Sequence, residues 1–79
     1  MIITAEISYY PLIENYSTPI NDFLKIISKT DIIVEEGKMS SILIGEYKDV
    51  MKLLNESMDE LMKKYPSIFN IKISNSCPI

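Results

Sequence analysis

"DIIVEEGKMSSILIGEY", residues 31–47, holds two short apolar runs on either side of a glycine. The runs read as strands over about residues 32–36 and 39–46, and Gly37-Lys38 reads as the turn between them, so the segment predicts a β-hairpin. On both sides of it the period changes. Upstream, Ile20, Phe23, Leu24 and Ile27 recur at i, i+3, i+4, i+7, which lays one apolar stripe along a helix. Ser17 or Thr18 can cap that helix, with Pro19 and Asp22 in its first turn, and it should stop near Lys29. Downstream, residues 48–64 carry Val50, Leu54, Met58, Leu61, Met62 and Tyr65 on one stripe and mainly charged residues elsewhere. Pro66 ends this second helix, because the residue before a proline resists helical dihedrals.

Further out, the ends alternate. Residues 2–10 place Ile3, Ala5, Ile7 and Tyr9 on one face and Thr4, Glu6, Ser8 and Tyr10 on the other. That is a strand with one apolar side, closed by Pro11, which cannot donate to a ladder. Residues 68–74 place Phe69, Ile71 and Ile73 opposite Asn70, Lys72 and Ser74. Residues 75–79, including the lone Cys77, read as a loose tail with an incidental thiol.

The order is therefore strand, helix, strand, strand, helix, strand. With right-handed crossovers this predicts an α+β, ferredoxin-like βαββαβ sandwich: an antiparallel four-stranded sheet with two helices on one face. Its 79 residues make one domain. The other sheet face stays bare. Thr4, Glu6, Ser8 and Tyr10 point there, joined by Asn70 and Lys72. On the third strand, Ile42 and Ile44 suit the helix side, which leaves Met39, Ser41, Leu43 and Gly45 on the bare face. A face with polar groups in its middle and apolar ones around them suits a subunit interface or a ligand site.

Composition bounds the function. Hydrophobic residues make up 47% of the chain, although a domain of this size buries only ~60% of its unfolded surface. Part of that apolar surface is thus expected to lie against another subunit. Net charge is −3 with no basic run, which argues against nucleic acid. No apolar stretch is long enough to span a membrane, and the N-terminal residues lack the marks of a secretion signal. A single cysteine fits a reducing cytoplasm, so a cytoplasmic location is expected. The chain contains no histidine, arginine or tryptophan. The common neutral-pH base, the common metal ligand and the bidentate phosphate clamp are all missing. Nucleophile–histidine pairs cannot be assembled, and two glycines cannot form a phosphate or dinucleotide fingerprint. No catalysis, no metal and no cofactor are expected.

Three stretches carry a resemblance: "AEISYYPL", then "MSS" leading into "GE" ahead of a long helix, then "IKI" on the last strand. Together they resemble the thiamine-binding protein family that includes the YkoF-like proteins, over the whole length. Ser40-Ser41 stands where that family usually has Gly-Thr, Ile44 where it often has glutamate, and its arginines around the last strand are absent. The resemblance implies a ferredoxin-like fold, association through the sheets into dimers or tetramers, and binding of thiamine or its hydroxymethylpyrimidine moiety.

That ligand can be matched to side chains. Thiamine carries a thiazolium cation and an aminopyrimidine. A carboxylate accepts from the amine and offsets the charge, a hydroxyl donates to a ring nitrogen, and a tyrosine face attracts the ring or cation. The expected pocket is lined by Glu6, Ser8, Tyr10 and Ser41, with Glu35 and Lys72 at its rim. Lacking arginine, the chain suits free thiamine or the pyrimidine alcohol better than the diphosphate.

Plainer roles stand beside these. Glu6 can be a cross-strand partner of Lys72, worth little if exposed. Ser8 and Ser41 can be small packing residues, Tyr9 core, and Tyr10 a cover for the strand end. Glu35 and Glu36 can be a charged edge, the methionines core filler, and Asp59-Glu60 a solvated helix face. Two other classes compete. Acylphosphatase-type chemistry on this fold needs an arginine, which is lacking. An oligomeric regulatory or assembly module that binds another small ligand, such as an amino acid, differs from a thiamine binder only through the motif.

Overall fold

The computed structural model describes residues 1–28 and 31–76. The elements run β1 (Ile2–Pro11), α1 (Ser17–Ser28), β2 (Ile33–Glu36), β3 (Ser41–Glu46), α2 (Tyr47–Lys64) and β4 (Ser67–Ser74). The sheet order is β2-β3-β1-β4, antiparallel at every pairing. This is the ferredoxin-like sandwich. Lys29, where the sequence ends the first helix, and Cys77 lie outside the described residues.

The period-2 pattern of β1 is fully expressed. Ile3, Ala5, Ile7 and Tyr9 are buried under the helices, and Thr4, Glu6 and Ser8 between them are only partly covered. Tyr9 is core: its ring stacks on Phe69 at 4.6 Å between centroids and meets Phe23 at 5.4 Å. Its hydroxyl still finds Ser67 Oγ at 3.2 Å, which removes the cost of burying it unpaired.

Phe23 and Ile27 of α1 are buried, and Ile20 and Leu24 pack beside them. Asn15, Ser17 and Thr18 are linked side chain to side chain just where α1 starts. Asp22 falls in the second turn rather than the first, and there it accepts a 2.7 Å hydrogen bond from the Tyr65 hydroxyl. That bond ties α1 to the chain leaving α2, and it holds the Tyr65 phenol above its usual pKa of 10.0.

On α2 the buried set is Val50, Leu53, Leu54, Ser57 and Leu61. The sequence stripe placed Met62 inward and omitted Leu53. At 3.6 residues per turn the stripe drifts, and Met62 has turned out to solvent by the last turn. Ser57 is tolerated in the core because its hydroxyl bonds back to the Leu53 carbonyl at 2.7 Å. Among the described residues no helix is long and apolar enough to cross a membrane.

The hairpin differs from its sequence reading by one residue. Gly37 N–H donates to the Ser40 carbonyl at 2.8 Å, so the two-residue turn is Lys38-Met39 and not Gly37-Lys38. A Cβ on Gly37 would sit 2.8 Å from that same carbonyl oxygen, which is why a glycine closes the ladder.

The larger correction concerns β3. Leu43 lies opposite Ala5, and Ser41 opposite Ile7. Directly opposed residues share a face, so Ser41, Leu43 and Gly45 face the helices while Ile42 and Ile44 face away. Leu43 is fully buried and Ser41 nearly so. The expectation had these faces exchanged. A continuous Ile-Leu-Ile run has no alternation from which to read a side, but the turn does fix it. A two-residue loop pairs Glu35 with Ile42 and Val34 with Leu43, so Leu43 must follow the apolar Val34 inward.

Candidate functional site

The sheet face away from the helices is built in rows across four strands. Glu35, Ile42, Glu6 and Lys72 are successive cross-strand partners from β2 to β4. Beside this row, Ile33, Ile44, Thr4 and Ser74 form a second. On its other side Ser8 pairs with Asn70, and Tyr10 with Ile68. Positions 2, 4, 6, 8 and 10 of one strand all point this way, which is why a single central strand supplies most of the polar groups.

Glu6 is the centre of the polar part. Ser40 Oγ donates to its Oε2 at 3.1 Å, and Lys72 Nζ lies 3.9 Å from its Oε1. The ion pair is long and open, with Lys72 77% and Glu6 44% exposed, so by itself it contributes ~0–1 kcal/mol. Its effect is positional: two groups on two other segments hold one carboxylate upright on the face. Each carboxylate oxygen offers two acceptor sites, so one on each stays free for an incoming donor.

Of the six residues expected at a pocket, Glu6, Ser8, Tyr10, Glu35 and Lys72 do lie on this face. Ser41 does not. It sits beneath the sheet near Tyr9, Phe23 and Leu24, lining a small cavity of about 140 Å³ under the hairpin turn. The hydroxyl that reaches Glu6 belongs to Ser40, one residue earlier, which sequence reasoning passed over. The signal was the turn itself: once Gly37 pairs with Ser40, Ser40 falls in register beside Ser8. The five are not all neighbours. Glu6, Ser8, Ser40 and Lys72 cluster. Glu35 is two strands away, ~9.6 Å, and Tyr10 stands four residues from Glu6, ~13 Å along the strand.

Around this cluster the face is mixed: Thr4, Asn70, Ser74 and Glu35 are polar, and the apolar groups stand among them and toward the corners. Ile2, Tyr10, Ile33 and Ile68 are all about half exposed or more, and Ile42 and Ile44 are partly covered. Thr4, in the middle, has a buried hydroxyl oxygen without a hydrogen-bond partner among the described residues. A solvated antiparallel face would be polar throughout.

A second feature lies elsewhere. Between α2 and the start of β2 is a cleft of about 440 Å³ over Ile32 and Leu53, rimmed by Asp31, Asp49, Glu56 and Lys52. Neither cavity is lined by Glu6, Ser8 or Lys72.

The architecture defines a ferredoxin-like domain with one bare, partly apolar sheet face. Sequence comparison sharpens that class: the YKOF-related family matches residues 2–79, and the chain belongs to it. No curated protein matches the chain by sequence. Among solved structures it is similar to a protein of Streptococcus pneumoniae, with a TM-score of 0.92 at 16% identity, over 99% of this chain and 90% of the other. It is also similar to a Thermotoga maritima protein given a provisional role in thiamine biosynthesis or salvage. There the TM-score is 0.86 at 19% identity, over 96% of this chain and 85% of that one. A domain of unknown function from Bacillus cereus gives a TM-score of 0.81 at 17% identity, over 94% and 75%. At these identities the structural likeness establishes the fold.

Proposed function

We propose that this chain binds thiamine, or its hydroxymethylpyrimidine part, on the open sheet face and does so without chemical turnover. The observation that carries the reading is Glu6, a carboxylate contacted by Ser40 and Lys72 on a face that also exposes apolar side chains. It can accept from the exocyclic amine and offset the thiazolium charge. Ser8 supplies a hydroxyl for a ring nitrogen, and Tyr10 a ring face at the far end. Family membership and the provisional role of the Thermotoga maritima protein support the ligand class. Absence of histidine and arginine from the sequence supports binding rather than catalysis. A flat sheet needs a second wall to enclose a ring, so the same reading makes the chain a homo-oligomer, dimer or tetramer, through this face.

One observation favours a competing location. The cleft beside α2 sets four carboxylates, Asp31, Glu46, Asp49 and Glu56, against Lys52. Its volume is within the ~300–1,000 Å³ of small-molecule sites, and its sign suits a cation.

Calorimetry with thiamine, hydroxymethylpyrimidine and a panel of amino acids tests the reading. Thiamine at ~100 times its dissociation constant should add ~2.7 kcal/mol to stability. Stabilisation by an amino acid alone would instead make the chain a regulatory module. Binding lost in Asp49→Asn but kept in Glu6→Gln would move the site to the cleft.

A further inference from the structure

We infer that thiamine lies across the strands of the open face, from Glu6 on β1 over Ile42 on β3 towards Glu35 on β2, and that Glu35 recognises its cationic ring. The inference rests on the proposed binding at Glu6. It adds the direction of the ligand and the residue that separates thiamine from its uncharged pyrimidine part.

Thiamine is two rings joined by one methylene. An amine held at Glu6 therefore leaves the thiazolium about one strand spacing away, ~5 Å. Four directions lead away from Glu6 on this face. Towards β4 the neighbour is Lys72, whose Nζ lies 3.9 Å from Glu6 Oε1 and whose side chain is 77% exposed. A second cation placed there meets a like charge. Along β1 the neighbours on this face are Thr4 one way and Ser8 the other, and neither carries charge. Towards β2 the neighbour is Ile42, and beyond it stands Glu35. Of the four, this direction offers a negative charge within two strand spacings.

The floor fits the same direction. β3 turns Ile42 and Ile44 to the open face, both partly covered, whereas β1 turns Thr4, Glu6 and Ser8 there. The charged ring can thus rest on isoleucine while its charge sits between two carboxylates ~9.6 Å apart. Those carboxylates are not equivalent. Glu6 has Lys72 beside it, but among the described residues Glu35 is in no ion pair. The row therefore runs negative, apolar, negative, positive, which gives one orientation to a ligand with a cation at one end. Hydroxymethylpyrimidine has the amine that Glu6 accepts from and lacks the cation, so it is blind to Glu35.

Calorimetry on the full chain tests this, with thiamine and hydroxymethylpyrimidine as the two probes, at low ionic strength where exposed charges are least screened. The readout is the ratio of the two dissociation constants. Both probes are titrated into one preparation, so lost folded protein, or a less well oriented Glu6, acts on both and cancels in the ratio. Glu35→Gln should weaken thiamine roughly two- to five-fold, as an exposed charge pair does, and leave hydroxymethylpyrimidine unchanged. Lys72→Gln should move the ratio by a similar factor in favour of thiamine. Glu36→Gln removes the same charge from the other side of β2 and should leave the ratio as it is in the parent. A ratio indifferent to Glu35→Gln would overturn the inference. A ratio that shifts with Tyr10→Leu instead would also overturn it, and would run the ligand along β1. A parent chain that binds neither probe would sink the binding reading itself, and the inference with it.

Discussion

The two faces of the sheet are made from the same strands and obey different rules. Under the helices, Ile3, Ala5, Ile7, Leu43 and Tyr9 are excluded from water by this chain alone, and each has a packing partner within it. On the open face, Ile33 and Ile68 lie exposed, and a carboxylate in its middle contacts a serine and a lysine. One face explains why the chain folds. The other exposes charge and apolar surface side by side, and it is the face on which the proposed binding rests.

The sharpest way to break that comparison is to truncate neighbours on opposite faces of β3. Leu43→Ala should cost ~2–5 kcal/mol in urea unfolding, because it leaves a cavity in a closed core. Ile42→Ala, one residue away, should cost less than half as much when measured on the monomer. Equal losses would mean that both faces are core.

Next in size is Gly37→Ala. Its Cβ would meet the Ser40 carbonyl oxygen at 2.8 Å, so the turn must open, at ~1–3 kcal/mol. Because that turn also places Ser40, the same variant should weaken whatever binds at Glu6. An unchanged melting temperature would refute this account of the hairpin.

A serine pair sharpens the comparison further. Ser40→Ala removes the hydroxyl that orients Glu6 and should cost ~0.5–1.5 kcal/mol of binding, or about two- to twelve-fold in affinity. Ser41→Ala, on the buried side, should leave affinity unchanged. The reverse result in calorimetry would restore the sequence assignment of Ser41.

The smallest effect belongs to Tyr65. Its hydrogen bond to Asp22 raises the phenol pKa from 10.0, so the neutral form is favoured in the folded state. That contribution is complete below pH 10 and is lost as pH rises through the raised value. Tyr65→Phe should be less stable than the parent at pH 8, and the difference should shrink as pH climbs above 10. A difference that grows with pH would contradict the bond.

These contrasts also mark what could be read from the sequence. All six elements were legible, because β1 and β4 alternate cleanly and both helices carry apolar stripes bounded by proline or a polar loop. The sheet face on which Glu6, Ser8, Tyr10 and Lys72 lie was legible for the same reason: alternation on β1 and β4 assigns a side to each. The face of β3 was not, since Ile42, Leu43 and Ile44 are equally apolar and only the register of the hairpin tells them apart. Ser41 was misplaced by that ambiguity, and Ser40 was hidden by it. The cleft beside α2 was illegible for another reason. It joins residues from the start of β2, the end of β3 and one flank of α2, which no local pattern links.

The proposed binding mode has Glu6 anchor the aminopyrimidine amine of thiamine on the open face and offset the thiazolium charge. Titrating thiamine into the parent chain and into Glu6→Gln by calorimetry, with sedimentation confirming the same oligomer in both, tests it most directly. A charge-assisted hydrogen bond is worth ~1.5–3 kcal/mol, so Glu6→Gln should bind roughly 10- to 150-fold more weakly, while Glu56→Gln on α2 binds as the parent does. Equal affinity in Glu6→Gln would remove Glu6 from the site and leave it a cross-strand partner of Lys72.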